Sequence, residues 1–237
     1  MSAGNPVFVA LDTTDLGAAK AWAKRLKGSV GGVKLGLEFF AARGPAGIRA
    51  VMGGAPGLPL FLDLKLHDIP NTVAGAVRAV AGLKPRYLTV HASGGPAMLR
   101  AAAEAAAQSG KDRVRLLGVT ILTSLDSSDL KRVGFAERAM DQHVAALAAL
   151  AQDCGLDGVI CSPHEVADLR RAMGGEFVLM VPGVRPRWAD AGDQKRVMTP
   201  AEAMRAGATH LIIGRPITKA ADPEAAARKI SQELAAA

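Results

Sequence analysis

Three formal charges crowd into one short stretch, FLDLKLHDIPNT at residues 61–72, where Asp63, Lys65 and Asp68 close a run that otherwise reads as a buried strand. Side chains two apart on a strand share a face, so Asp63 and Lys65 point one way while Leu62 and Leu64 point the other. Charges this close to an interior are costly unless paired, so the pattern calls for a buried ion pair or a polar ligand site. Further polar residues stand at the ends of other apolar runs: Asp12, Lys34, His91, Thr123, Arg185 and Arg215. Carboxylates alternating with ammonium groups supply electrostatic stabilisation and proton transfer, and the two arginines supply forked donors for an anion.

The elements that would position these groups follow a regular plan. Strand-like runs at 7–12, 30–36, 58–65, 86–92, 114–120, 157–162, 177–183 and 209–214 alternate with amphipathic, Ala-rich stretches. The helix-like stretches fall near 15–27, 37–51, 71–82, 96–108, 138–153, 164–173, 199–206 and 222–235. Thr14 and Asp15 suit the start of the first, and Ser162-Pro163 the start of the sixth. Eight β-then-α units with right-handed crossovers predict a closed parallel (β/α)8 TIM barrel, one domain over residues 1–237. An open doubly wound sheet is the alternative, but no G-x-G-x-x-G follows the first strand and no chain-reversal point is visible.

In a barrel the leucines of the third strand face the helices and the charges face the axis. All the polar strand ends then share the carboxyl-end mouth, where barrel enzymes build active sites. Phosphate in such barrels sits between the loops after strands seven and eight, which here read PGVRP and GRPI. Gly183 and Gly214 let backbone approach an anion, and Arg185 and Arg215 reach its oxygens. Two long connections, 122–138 and 182–200, have the length of ligand grips, and Gln194 in the second offers an amide donor.

Composition narrows the function classes. A formal charge of +7 arises from 29 scattered Lys and Arg, and with six Phe, one Tyr and two Trp there is little to stack on bases, which argues against nucleic acid and for a small anionic ligand. The longest apolar runs, VFVAL and VLMV, are far shorter than the roughly 20 residues of a membrane span. MSAGNPVFVALDTT goes straight into a strand pattern with no basic leader, so a cytoplasmic address is expected. Cys154 and Cys161 lack metal-type spacing, which fits a reducing compartment and no structural zinc.

FLDLKLHDIPNT, taken with VALD, VKLG, ILTS, PGVRP, GDQ and GRPIT in order along nearly the whole chain, resembles the bacterial orotidine 5′-phosphate decarboxylases. Part of the motif, D-x-K-x-x-D, also occurs in related barrels that act on sugar phosphates with magnesium, so the phosphate loops and ILTS carry the distinction. The resemblance implies decarboxylation of a nucleotide, orotidine 5′-phosphate, to UMP with no cofactor and no metal. It implies Lys65, Asp63, Asp68 and Lys34 as the catalytic array, and a homodimer in which Asp68 and Thr72 reach the partner's site. It assigns Asp12 and Lys34 to the ribose, Thr123 and Ser124 to the pyrimidine, and Arg185, Gln194, Gly214 and Arg215 to the phosphate. His67 has the right chemistry for an acid, but the resemblance gives it no such role; it, His91 and Cys161 are read as positioning or packing groups. Thr209 stands where the family more often has an acidic residue, away from the chemistry.

Overall fold

Short aliphatic strands buried on both faces and joined by helices make a helix-covered parallel sheet, and closing it into a barrel leaves no edge strand. The computed structural model, which describes residues 4–189 and 198–236, has that form. Its elements run β1 (Val7–Ala10), α1 (Leu16–Leu26), β2 (Gly32–Gly36), α2 (Leu37–Gly53), β3 (Leu60–Leu66), α3 (Pro70–Ala81), β4 (Tyr87–His91), α4 (Gly95–Ala107) and β5 (Arg115–Val119). There follow α5 (Ser127–Arg132), α6 (Met140–Asp153), β6 (Gly158–Ile160), α7 (Val166–Met173), β7 (Val178–Val181), α8 (Pro200–Arg205), β8 (His210–Ile213), α9 (Arg215–Thr218) and α10 (Pro223–Ala235). Every strand pairs in parallel with its sequence neighbours, and β8 closes on β1. No helix among the described residues is long and apolar enough to cross a membrane.

Two apolar layers result from the period-2 alternation of the strands. Outward residues such as Val9, Leu62, Leu64, Leu88 and Val90 pack under the helices in one cluster with the alanines of α1, α4 and α6 and the valines of α3. Inward residues fill the barrel, with Phe8, Phe61 and Tyr87 meeting edge-on at centroid distances of 5.7–6.3 Å, above which sit Ala10, Leu117, Met180 and Ile212. Position 32 is glycine because a Cβ there would stand 2.3 Å from the Phe8 ring. Tyr87 Oη and His210 Nε2 pair at 2.8 Å inside this aromatic plug.

Side-chain caps start several helices where the sequence places them. Asp15 accepts the Ala18 N–H ahead of α1, and Ser162 and Glu165 form a capping box in the 3-10 turn that leads into α7. Two departures from the expected pattern lie in the long connections and loops. α5 forms within 122–138, opened by a reciprocal Asp126–Asp129 cap, and α9 begins directly after Gly214. α2 is kinked at Gly44, whose φ of 58° precedes Pro45.

Candidate active site

The charged end of β3 is not a flat strand. Its ladder with β4 runs Phe61 to Tyr87 and Leu62 to Leu88, then resumes at Leu66 with Val90, so that Asp63, Leu64 and Lys65 stand opposite Thr89 alone. Lys65 takes a φ of 50°, a left-handed conformation that a non-glycine residue adopts only when its surroundings hold it there. The Lys65 N–H, removed from the regular ladder, donates to Thr89 Oγ1 at 2.9 Å. Thr89 is fully buried, and its hydroxyl donates in turn to Asp63 Oδ1 at 2.9 Å. Asp63 and Lys65 therefore reach the same cavity as the alternation predicts, but by way of a bulge pinned from the next strand.

Four charges follow one another across the mouth. Lys65 Nζ lies 2.8 Å from each Asp63 oxygen; Lys34 Nζ, on β2, lies 3.4 Å from Asp63 Oδ2 and 3.3 Å from Asp12 Oδ1 beyond β1. Asp63 is 7% exposed, and burial by itself would push its carboxyl up. Lys34 and Lys65, with the hydrogen bonds from Lys65 and Thr89, outweigh burial and hold it below the usual carboxylate range.

These groups line a cavity of about 320 Å³ at the carboxyl ends of the strands. Asp12, Lys34, Asp63, Lys65, Thr123, Arg185, Gly214 and Arg215 all contribute to its wall. Val119, Ile121, Leu122, Ile160 and Ile212 supply an apolar floor and side, enough to seat a planar ring. Gly183, at a φ of 79°, takes a turn that L side chains resist, and a Cβ on Gly214 would press to 3.4 Å from that of Ala10. Arg185 is buried; its N–H donates to the Met198 carbonyl at 3.0 Å and ties together the two stems of the long loop. On the outer side Trp188 lies under the Lys229 ammonium of α10, 4.8 Å from the ring centroid.

The other predicted site residues lie elsewhere. Ser124 faces a neighbouring groove between α6 and α7 that shares Thr123 and Gly183 with the cavity. Asp68, on the turn into α3, and Thr72, in the first turn of that helix, are exposed and lie outside the wall of the cavity, and Asp68 Oδ1 accepts the Ile69 N–H at 2.6 Å. Gln194 falls outside the described residues. Cys161 is buried against the cavity, with burial pushing its thiol up and away from reactivity. His91 is half-buried and packs on His67 with centroids 5.3 Å apart. Thr89 went unread in the sequence; its signal was one hydroxyl between Tyr87 and His91 on the inward face of β4. Among the described residues, no cluster of three His, Cys, Asp or Glu is arranged to hold a metal ion.

The family model described as Orotidine 5'-phosphate decarboxylase / HUMPS family matches residues 5–230. The chain belongs to this family. A decarboxylase relative from Paramagnetospirillum magneticum is 56% identical over 234 residues, covering 97% of this chain and 98% of its own. Another, from Moorella thermoacetica, is 51% identical over 238 residues, 99% of this chain and 94% of its own. The crystal structure of orotidine 5'-phosphate decarboxylase from Lactobacillus acidophilus superposes with a TM-score of 0.85 at 37% identity, covering 97% of this chain and 99% of that one. That family membership matches the motif resemblance, and the (β/α)8 barrel is common to this chain and its solved relative.

Proposed function

We propose that this chain converts orotidine 5′-phosphate to UMP, and that its own charges, with no cofactor, carry the chemistry. The observation that supports this most directly is the Asp12–Lys34–Asp63–Lys65 chain sharing one cavity with Arg185 and Arg215. The phosphate goes to the two arginines and Gly214, with Gln194 as a further donor. Asp12 and Lys34 take the ribose hydroxyls, and Thr123 and Ser124 the pyrimidine edge.

Breaking the C6–carboxylate bond releases CO₂ and leaves the electron pair on C6, with no neighbouring carbonyl placed to delocalise it. The Lys65 ammonium attracts that developing charge and then gives C6 a proton from Nζ; water reprotonates the amine. Asp63 keeps the ammonium charged and oriented. Phosphate contacts far from C6 contribute binding energy that helps assemble the array.

We further propose a homodimer in which Asp68 and Thr72 enter the partner's site. Both stand exposed on one turn beside Ile69, which is 67% exposed, and Leu37 at the start of α2 is 58% exposed. Ile69 and Leu37 are two of the four large apolar side chains that stand exposed among the described residues, and burial between subunits would take them out of water.

The test is to follow the ultraviolet absorbance of orotidine 5′-phosphate with chelator-treated protein, wild type and Lys65→Ala. Wild type should turn over in EDTA, whereas Lys65→Ala should lose nearly all turnover and still bind UMP. Ordinary activity in Lys65→Ala would remove the acid assignment, and loss of wild-type activity in EDTA would favour a magnesium-dependent sugar-phosphate reaction instead.

A further inference from the structure

The geometry points to His91 as a positioning residue that acts in trans: through the His67 ring it sets where Asp68 and Thr72 stand in the partner's site. The inference rests on the homodimer proposed above.

Three residues alternate along the inward face of β4: Tyr87, Thr89 and His91. Each supports a different level of β3. Tyr87 packs on Phe61, Thr89 holds Asp63 and the Lys65 backbone, and His91 meets His67 with centroids 5.3 Å apart and planes tilted by 36°. β4 thus carries on past the catalytic lysine to brace the residue immediately before Asp68. The turn after β4 flanks the same ring. A Cβ on Gly94, in the 3-10 turn Ala92–Gly94 after β4, would lie 3.4 Å from His67 Cδ2. His67 is therefore seated although it is exposed. Beyond it the path is short and stiff: Asp68 accepts the Ile69 N–H, and Pro70 opens α3.

His91 suits an uncharged brace. Burial holds its pKa below the ordinary histidine value, with the neighbouring His67 and Lys65 adding to the effect and Asp63 opposing it. From β5 its register partner is Val119, which brings no charge. An uncharged ring there serves as a packing surface for His67.

Because the braced turn is proposed to serve the other subunit, mixed dimers give the decisive test. Subunits carrying two different tags are co-expressed, mixed dimers are isolated, and kcat and KM are measured per site that retains Lys65. The control pairs Asp68→Ala with Lys65→Ala, which leaves one competent site if Asp68 crosses between subunits. The His91→Ala homodimer should lose kcat about ten- to a hundredfold, the scale expected when a reacting geometry shifts by about 1 Å. His91→Phe, which keeps a ring against His67, should restore activity to within about threefold. Paired with Lys65→Ala, His91→Ala should then show the kcat of one wild-type site, because the turn entering that site comes from the chain with intact His91. If His91→Ala does not fold, His67→Ala on the exposed side of the ring pair carries the same comparison.

An impaired mixed site beside an active control would mean that His91 acts on its own Lys65, overturning the inference and leaving the reaction assignment intact. Ordinary activity in the His91→Ala homodimer, or a His91→Phe enzyme as poor as His91→Ala, would also overturn it. An inactive control would instead remove the cross-subunit reading, and this inference with it.

Discussion

Replacing Thr89 with valine removes one hydroxyl and almost no volume, yet that hydroxyl holds both ends of the charged bulge. It donates to Asp63 Oδ1 at 2.9 Å and accepts the Lys65 N–H at 2.9 Å, with no exposure to water. A hydrogen bond to a charged group contributes roughly 1.5–3 kcal/mol, and a buried donor left without an acceptor costs about 1–3 kcal/mol. Because both bonds share one oxygen and the bulge can relax, the expected loss is about 2–4 kcal/mol rather than the full sum. For a chain of this size that corresponds to a fall in Tm of roughly 5–15 °C. The effect on catalysis should exceed the effect on substrate binding. Lys65 sits at a φ of 50°, and its N–H anchor to Thr89 is what β4 offers in place of a ladder bond. Freed of it, the ammonium shifts, and kcat is expected to fall about ten- to a hundredfold. Thr89→Ser should recover most of both losses. Thermal unfolding and the ultraviolet assay read the two quantities on the same samples. A Thr89→Val enzyme within twofold of wild-type kcat and within about 0.5 kcal/mol of its stability would refute the reasoning, because other contacts would then be holding the bulge.

Arg215→Ala should lower kcat/KM about a hundredfold or more, the equivalent of two charge-assisted hydrogen bonds, with Tm almost unchanged because Arg215 is exposed at the mouth; a drop under fivefold would count against the phosphate assignment. Thr209 Oγ1 accepts from Arg170 Nη2 at 2.9 Å and from the Leu179 N–H at 3.1 Å, so Thr209→Asp should strengthen both bonds and raise stability by about 1 kcal/mol, read as a higher urea midpoint. His210 is neutral inside the aromatic plug: burial, aided by Arg86 and Arg115 and opposed by the Pro6 carbonyl, pulls its pKa from 6.5 to about 4. The unfolded chain therefore binds the extra proton first, and stability present above pH 6.5 drains away as pH falls towards 4, by about 3 kcal/mol. His210→Gln, which keeps a partner for Tyr87, should lose about 3 kcal/mol less than wild type between pH 7 and pH 4 in denaturant titrations, and equal losses would refute the assignment.

The barrel was legible because parallel strands buried on both faces write themselves as aliphatic runs, and VFVA, LLGV and VLMV need no context to be read. What escaped was local and polar. α5 is a short helix held by the Asp126–Asp129 cap, and in a loop full of serine and aspartate that signal looks like any solvent-facing turn. The bulge at Lys65 was invisible because a two-residue period assumes a flat ladder, and nothing in LDLKL announces a left-handed lysine. Thr89 was overlooked for a related reason: threonine is a good strand former, so one hydroxyl in YLTVH reads as propensity rather than function. The turn that carries Asp68 was read from the motif, but the ring pair that seats it depends on β4 lying beside β3, which only the fold supplies.

The packing around Asp63 also bears on how the proposed reaction is driven. A carboxylate facing the substrate's own carboxylate would repel it by about 4 kcal/mol at 4 Å and an effective dielectric near 20. Asp63 is not a bare charge, however. Lys65 takes both its oxygens at 2.8 Å and Lys34 stands 3.4 Å from one of them, so two ammoniums offset its charge; with the Asp68 proposed to enter from the partner subunit, the four groups sum to zero. Asp12, whose side chain is 66% exposed and open to solvent screening, adds little to that balance. Repulsion from Asp63 is then largely offset by its ammonium neighbours, and it contributes less than its bare value to the ~8–23 kcal/mol that enzymes remove from barriers. At the transition state the carboxylate is becoming neutral CO₂ while charge grows on C6, and on the proposed assignment the Lys65 ammonium attracts that growing charge. On that assignment attraction grows as the bond breaks, and Asp63 serves chiefly as the group that holds the Lys65 ammonium in place.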